Sequence, residues 1–535
     1  MNKNILVLIF LMLFYRVPAQ NPNYNVMDFG AFNDGKRVTT ASIQKAIDAC
    51  SEKGGGTINF PAGKYLSGTL FLKNNIVLNL HAGAELLGSG DLKDYPSAPA
   101  HFPSYADNYT ERSLIFAENL RNIAITGQGK INGQGYLFEP VYLPYKIRPY
   151  IIRMIKCQDV TLRDITIENP PMWTQHYLAC ENLTIDNIKV DSWNSNVNND
   201  GIDIDCCNRV MISNSYIKAE DDAIVLKSTS PLPCQNVTIT NCVITSLCNA
   251  FKCGTESVGG FENIIISNCI ITDTRYSGIA LEMVDGGYMN NVIVSDIVMK
   301  DVNNPVFVRL GDRGRPFREG APEKPAGTMR NIKITNITAT GAGCYTSDKY
   351  SDLYKKQNRR QPDEKIGCLI MGIPGHYIEN LSLKNISIEF RGGGTKESAG
   401  ILVPENEKGY PNYDKFGNVP AYAFFTRHVK HLEMENIDMS YELPDHRPAL
   451  VMMDVKNATI DKFNAAYEED TESIIVIDGS ENITVSNCRA IKKTNALANL
   501  RNASSGIRFI NNNIFNTNNL YKSDGSVSNA DITVR

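Results

Sequence analysis

The chain has 535 residues, 42% of them hydrophobic and 21% charged, enough to bury a large core, which excludes intrinsic disorder and a small disulfide-stapled scaffold. Its net charge is only −4 and no long basic block appears, so nucleic acid and anionic membrane surfaces are excluded as partners on electrostatic grounds.

At the N-terminus, Lys3 precedes the apolar run Ile5 to Phe14, and Val17-Pro18-Ala19-Gln20 has the small-residue character of a cleavage site. Residues 1–19 are therefore expected to be an export signal, and residues 20–535 a single secreted or periplasmic domain. The run is about 10 residues long, well short of the ~18 that membrane insertion demands. Thr40 to Ser51 follows as a short predicted helix, with Ile43, Ala46, Ile47 and Cys50 on one face and Gly54-Gly55-Gly56 ending it. Such a helix would cap the open end of a solenoid, whose first coil otherwise exposes apolar cross-section and unpaired backbone.

From there a motif of Asn, aliphatic, any residue, Ile recurs: Asn182-Leu183-Thr184-Ile185, Asn236-Val237-Thr238-Ile239, Asn263-Ile264-Ile265-Ile266, Asn482-Ile483-Thr484-Val485. The regular gaps are about 23 to 28 residues, the length of one coil of a β-solenoid. A second polar position follows at constant phase, through Asp164, Asn187, Asn214, Asn241, Asn268, Asp296, Asn336, Asn385, Asn436 and Asn487. Asn and Asp tolerate left-handed backbone, so both positions predict stacked tight turns between short strands. The fold class is thus expected to be all-β, a right-handed parallel β-helix solenoid. Cys157, Cys180, Cys207 and Cys234 share one repeat phase and Cys242, Cys269 and Cys488 another, which marks them as stacked core thiols. No CxxC zinc spacing is present. Repeat gaps widen later in the chain, predicting loop insertions at about 340–425 beside the cleft.

The densest acidic constellation is Asn199-Asp200-Gly201-Ile202-Asp203-Ile204-Asp205, followed one coil later by Glu220-Asp221-Asp222. Stacking on adjacent coils brings Asp200, Asp221 and Asp222 to one face, about 4.8 Å apart in backbone. Repulsion and desolvation then raise at least one pKa, leaving a protonated acid beside an ionised base. Glycoside hydrolysis needs that pairing.

These segments resemble glycoside hydrolase family 28, the polygalacturonase-like enzymes, whose sequences carry Asn-x-Asp-Gly-x-Asp, here Asn198 to Asp203, and an Asp-Asp pair one coil on. Phe29-Gly30-Ala31, Pro61-Ala62-Gly63-Lys64-Tyr65, Arg148-Pro149 and Pro171-Met172-Trp173 are further segments familiar in that family. The resemblance covers roughly residues 24–340. It implies that Asp221 is the general acid, that Asp200 and Asp222 are the bases activating water, that Asn198 and Asp203 contact substrate, and that the anomeric configuration inverts. No metal or cofactor is implied. The family's Gly-His-Gly is replaced by Cys248-Asn249-Ala250, which puts Asn249 at the histidine position. Where polygalacturonases carry Arg-Ile-Lys to hold a galacturonate carboxylate, this chain reads Gly278-Ile279-Ala280-Leu281-Glu282, with both cations absent. Lys252, Arg309, Arg313 or Arg315 is then the cation available to an anionic sugar, unless the sugar is neutral. Glu256, Glu282 and Asp285 either bind sugar hydroxyls or pair with those cations, and His176 is expected to be a packed side chain.

The expected function is an inverting hydrolase acting on pectic polysaccharides or oligosaccharides of galacturonate or rhamnogalacturonan type, with exo action from chain ends as its expected mode. A polysaccharide lyase or epimerase on the same fold, and a non-catalytic glycan-binding solenoid, are the alternatives.

Overall fold

The structure, a computed structural model, describes residues 22–141, 143–343, 352, 355, 366–490 and 492–535. The export signal expected at 1–19 lies outside these residues, as does most of 344–365 within the expected insertion.

The chain winds as a right-handed parallel β-helix with three strands per coil. One coil contributes Gln175–Leu178, Glu181–Asp186 and Lys189–Asp191. The next contributes Ile202–Asp205, Asn208–Ser213 and Tyr216–Ala219, each parallel to and in register with its counterpart. Three sheets result, and inward residues such as Ile202, Ile204, Leu183, Ile185 and Val190 fill one continuous apolar core. Alternation along each strand makes this possible, because a period of two sends every second side chain inside.

Corners are set by the repeated polar positions. Asn236, Asn263, Asn291 and Asn331 have φ of 56–57°, and Asn241, Asn268, Asn336 and Asn385 have φ of 53–56°. Their amides also bond from coil to coil: Asn263 Nδ2 donates to Asn236 Oδ1 at 2.9 Å, and Asn385 Nδ2 to Asn336 Oδ1 at 3.0 Å. Among the described residues no cysteine is in a disulfide, and the thiols stack in the core, with Cys180 N donating to Cys207 Sγ at 3.3 Å.

The helix Thr40–Glu52 buries Ile43, Ala46, Ile47 and Cys50 over the first coil. It stops at Lys53, and Gly55, at φ 114°, passes so close to the next coil that a Cβ would lie 2.3 Å from Asn75 O. No helix among the described residues is long and apolar enough to cross a membrane.

The outer face of the first sheet, the one containing Gln175–Leu178 and Ile202–Asp205, is apolar at both ends and polar between. Toward the N-terminus, Phe116, Ile155 and Leu178 are covered by Ala98, Ala100 and Phe102 from the long loop before Ser113–Glu118. Toward the C-terminus, Ala280, Phe307, Leu369 and Phe425 are covered by Tyr413, Phe416 and Val419 from the insertion before Phe424–Leu443. The uncovered stretch carries the carboxylates.

Candidate active site

Asp203 and Asp205 point outward from Ile202–Asp205, and register places Val225 and Lys227 beside them, then Lys252 beside Val225. Asp200 sits in the turn before this strand. The Gly201 of the motif has a steric reason, since a Cβ there would lie 2.4 Å from Ala223 O. That close approach lets Gly201 N donate to Asp222 O at 2.9 Å and Ile202 N to Ala223 O at 2.9 Å, pressing the Asp200 turn onto the Asp221-Asp222 turn. Asn198, at φ 55°, reaches Asp200 Oδ1 at 3.5 Å through its Nδ2.

Two buried lysines organise the carboxylates. Lys227 Nζ lies 3.5 Å from Asp200, 3.5 Å from Asp203 and 3.9 Å from Glu256, and 4.6 Å from the Trp173 ring. Lys252 Nζ lies 3.2 Å from Asp222 and 3.7 Å from Glu282. Asn249 donates to Asp222 Oδ1 from its side chain at 2.8 Å and from its backbone at 3.2 Å. Asp221 is half-buried, and its Oδ1 accepts from Asp222 N at 3.0 Å.

The electrostatics separate these groups. Burial, with Asp203, Asp221 and Asp222 nearby, pushes Asp200 well above the usual carboxylate range despite Lys227. Burial likewise raises Asp203, against the pull of Lys227. Burial also opposes ionisation of Asp222, but Lys252, Lys227 and the Asn249 amide overcome it and hold its carboxyl below the ordinary value. Glu282 is pushed up to about 7 by burial, with Lys252 the chief opposing influence. The site therefore sets Asp222, whose ionised form is favoured, beside acids whose ionisation burial opposes.

Toward the sheet edge, Arg313 Nε donates to Asp285 Oδ1 at 2.9 Å and Arg315 Nη1 to Glu256 Oε1 at 2.9 Å. Two tyrosines from the end-covering loops approach these arginines: Tyr105, under the Arg315 guanidinium at 4.6 Å, and Tyr410, 5.8 Å from that of Arg313. Thr255 Oγ1 donates to Glu282 Oε2 at 3.1 Å and accepts from Tyr410 OH at 3.0 Å. Tyr109 packs on Trp173 at 4.7 Å on the other side. The carboxylates thus lie in a trough with a wall at each end.

Of the residues singled out from sequence, Asp200, Asp203, Asp221, Asp222, Asn198, Asn249, Lys252 and Glu282 come together here, and Arg313 stands at the rim. Arg309 does not join them. Its guanidinium donates to the carbonyls of Gly372 at 3.0 Å and of Glu405 and Asn406 at 2.7 and 3.2 Å, tethering the insertion instead of facing the trough. His176 is buried against Asp205 at 3.1 Å, and burial lowers its pKa. Lys227 and Tyr410 were missed. Lys227 was findable, because strand alternation puts it on the same face as Asp205, whereas Tyr410 arrives from a distant insertion.

Asp221, Asp222 and Cys248 each bring one possible metal-ligating atom within 4.8 Å of the others. Burial, with Asp222 and Asp221 nearby, raises the Cys248 thiol well above its ordinary value.

A parallel β-helix with a walled trough of paired carboxyls and lysines defines a class of glycan-handling solenoids. The family model described as glycosyl hydrolases family 28 matches residues 50–351, and the chain belongs to that family. It is 34% identical over 218 residues to a "Probable polygalacturonase" of Vitis vinifera, covering 38% of this chain and 44% of the relative. It is 29% identical over 250 residues to the "Exo-poly-alpha-D-galacturonosidase" of Dickeya chrysanthemi, covering 37% and 41%. The chain thus spans less than half the length of these curated relatives. The structure of the Yersinia enterocolitica family 28 exopolygalacturonase matches with a TM-score of 0.64 at 22% identity, over 83% of this chain and 79% of that one, which shows the shared fold.

Proposed function

We propose that the protein is an inverting glycoside hydrolase that removes sugars from the ends of pectic glycans. The observation that carries this reading is the division of labour among three adjacent aspartates. Asp222 is held ionised by Lys252, Lys227 and Asn249 and takes a proton from water. Asp221, the more exposed of the pair, protonates the departing oxygen. Asp200, whose ionisation burial opposes, acts with Asp222 on the water once its proton is lost. Action at chain ends is supported by the two loops that wall the trough, and the pectic substrate by the printed names of the relatives. The apolar run Ile5 to Phe14, read as an export signal, supports an exported enzyme.

The test is NMR of products from homogalacturonan, rhamnogalacturonan and their oligosaccharides, with wild type and Asp221→Asn. A saturated product of inverted configuration is expected, its rate falling ~10²–10⁴-fold in the variant. Unsaturated products would refute hydrolysis, and release of mid-chain fragments would refute end action.

A further inference from the structure

The trough has an unusual charge balance for a site that is to receive an acidic sugar. Six carboxyls, Asp200, Asp203, Asp222, Glu256, Glu282 and Asp285, share four cations. Each cation is already engaged: Lys227 with Asp200 and Asp203, Lys252 with Asp222 and Glu282, Arg313 with Asp285, and Arg315 with Glu256. A sugar carboxylate could gain a cation here only by displacing one of these partners and leaving it charged and buried, which is strongly unfavourable. It would also place a further negative charge where burial already drives Asp200 and Asp203 toward their protonated forms.

The unfilled hydrogen-bonding capacity has a complementary character. Oδ2 of Asp203 and Oε1 of Glu282 accept no hydrogen bond, and Oδ1 of Asp203 has only Lys227 Nζ at 3.5 Å, although both side chains are fully buried. Arg313 Nη1 is a buried donor with no acceptor. Unfilled acceptors call for a ligand that donates, and the single unfilled donor for one that also accepts. Sugar hydroxyls do both, whereas a carboxylate donates nothing. Buried polar groups left unpaired in the free protein are the ones a ligand completes.

We propose that the sugar seated against Asp203, Lys252 and Glu282, the one released from the chain end, is neutral, and that Glu282 is the residue that turns away a uronate. This rests on the hydrolase reading of the same trough. The rest of the glycan, outside the walls, is free to be acidic, so the natural substrate is a pectic chain terminating in a neutral sugar.

Two matched substrate pairs test it. The first is trigalacturonate and its carboxyl-reduced form, and the second is rhamnogalacturonan oligosaccharides ending in rhamnose or, one sugar shorter, in galacturonate. Wild-type protein is expected to show at least tenfold higher kcat/KM on the neutral-ended member of at least one pair. Glu282→Gln is expected to narrow that ratio severalfold. Calorimetric binding of all four to Asp221→Asn separates recognition from turnover. Preference for the uronate-ended member in both pairs overturns the inference and leaves the hydrolase reading standing. Neutral-ended ligands that bind without being cleaved by wild type would sink the hydrolase reading and support the inference. Neither binding nor cleavage of any of the four ligands overturns both, and an unchanged ratio in Glu282→Gln removes Glu282 as the discriminating residue.

Discussion

Replacing Glu282 with Gln should change how stability depends on pH. The carboxyl is fully buried, and its pKa rises from an ordinary value of 4.5 to about 7 on folding. Between those values the folded protein keeps a proton that the unfolded chain has lost. The associated stability is complete below the unfolded value and disappears as pH rises through 7. At roughly 1.4 kcal/mol per pH unit the interval is about 3 kcal/mol. Glutamine preserves the shape and can still accept from Thr255, but it has no proton to lose. Denaturant unfolding of the two proteins from pH 4 to pH 8 should show their stability difference moving by about 3 kcal/mol in favour of the variant. A difference that stays flat would mean that Lys252 fully compensates burial and that Glu282 ionises normally, refuting the electrostatic account of the trough.

Removing the Lys227 ammonium in Lys227→Met leaves Asp200 and Asp203 without their shared cation and should cost about 3–5 kcal/mol, measured by unfolding. Because Lys227 also helps hold Asp222 ionised, the acid limb of the rate profile should move to higher pH, and Lys227→Arg should restore part of it. In the ladder, Asn263→Ala should lower stability by ~1–3 kcal/mol, from a strained left-handed residue and a lost stacking bond, with Asn263→Gly less damaging; thermal melts report both. Since the described cysteines are unpaired, a thiol reductant should leave the melting temperature unchanged, and a drop would reveal a disulfide.

The solenoid was legible because its signals are local and periodic. Asn236, Asn263 and Asn291 mark a corner that only a left-handed residue can turn, and the inward Val and Ile residues mark the strands between. The aspartates were legible because neighbouring coils convert one repeat of sequence separation into one strand spacing. Arg309 shows where this logic stops: its outward position was inferable, but its partners are carbonyls of Glu405 and Asn406, whose path over the sheet no periodicity encodes. Lys227 was overlooked for a different reason, since it lies in an ordinary strand outside the motif, and only pairing it by register with Asp205 reveals its place.

The insertion before Phe424 has a mechanical consequence. A regular solenoid is quasi-one-dimensional, each coil stabilised by its two neighbours, so that damage at one end need not be felt far away. Here Tyr413 OH donates to Arg275 O at 3.2 Å and Tyr410 reaches Thr255, while the same segment leads directly into the strand at Phe424. Coils four steps apart, about 19 Å along the axis, are thereby strapped together. Fraying of the C-terminal coils would pull on the strand that carries Thr255 and Lys252, so a chain built to fail piecemeal is made to hold, or let go, as one body around its reactive centre.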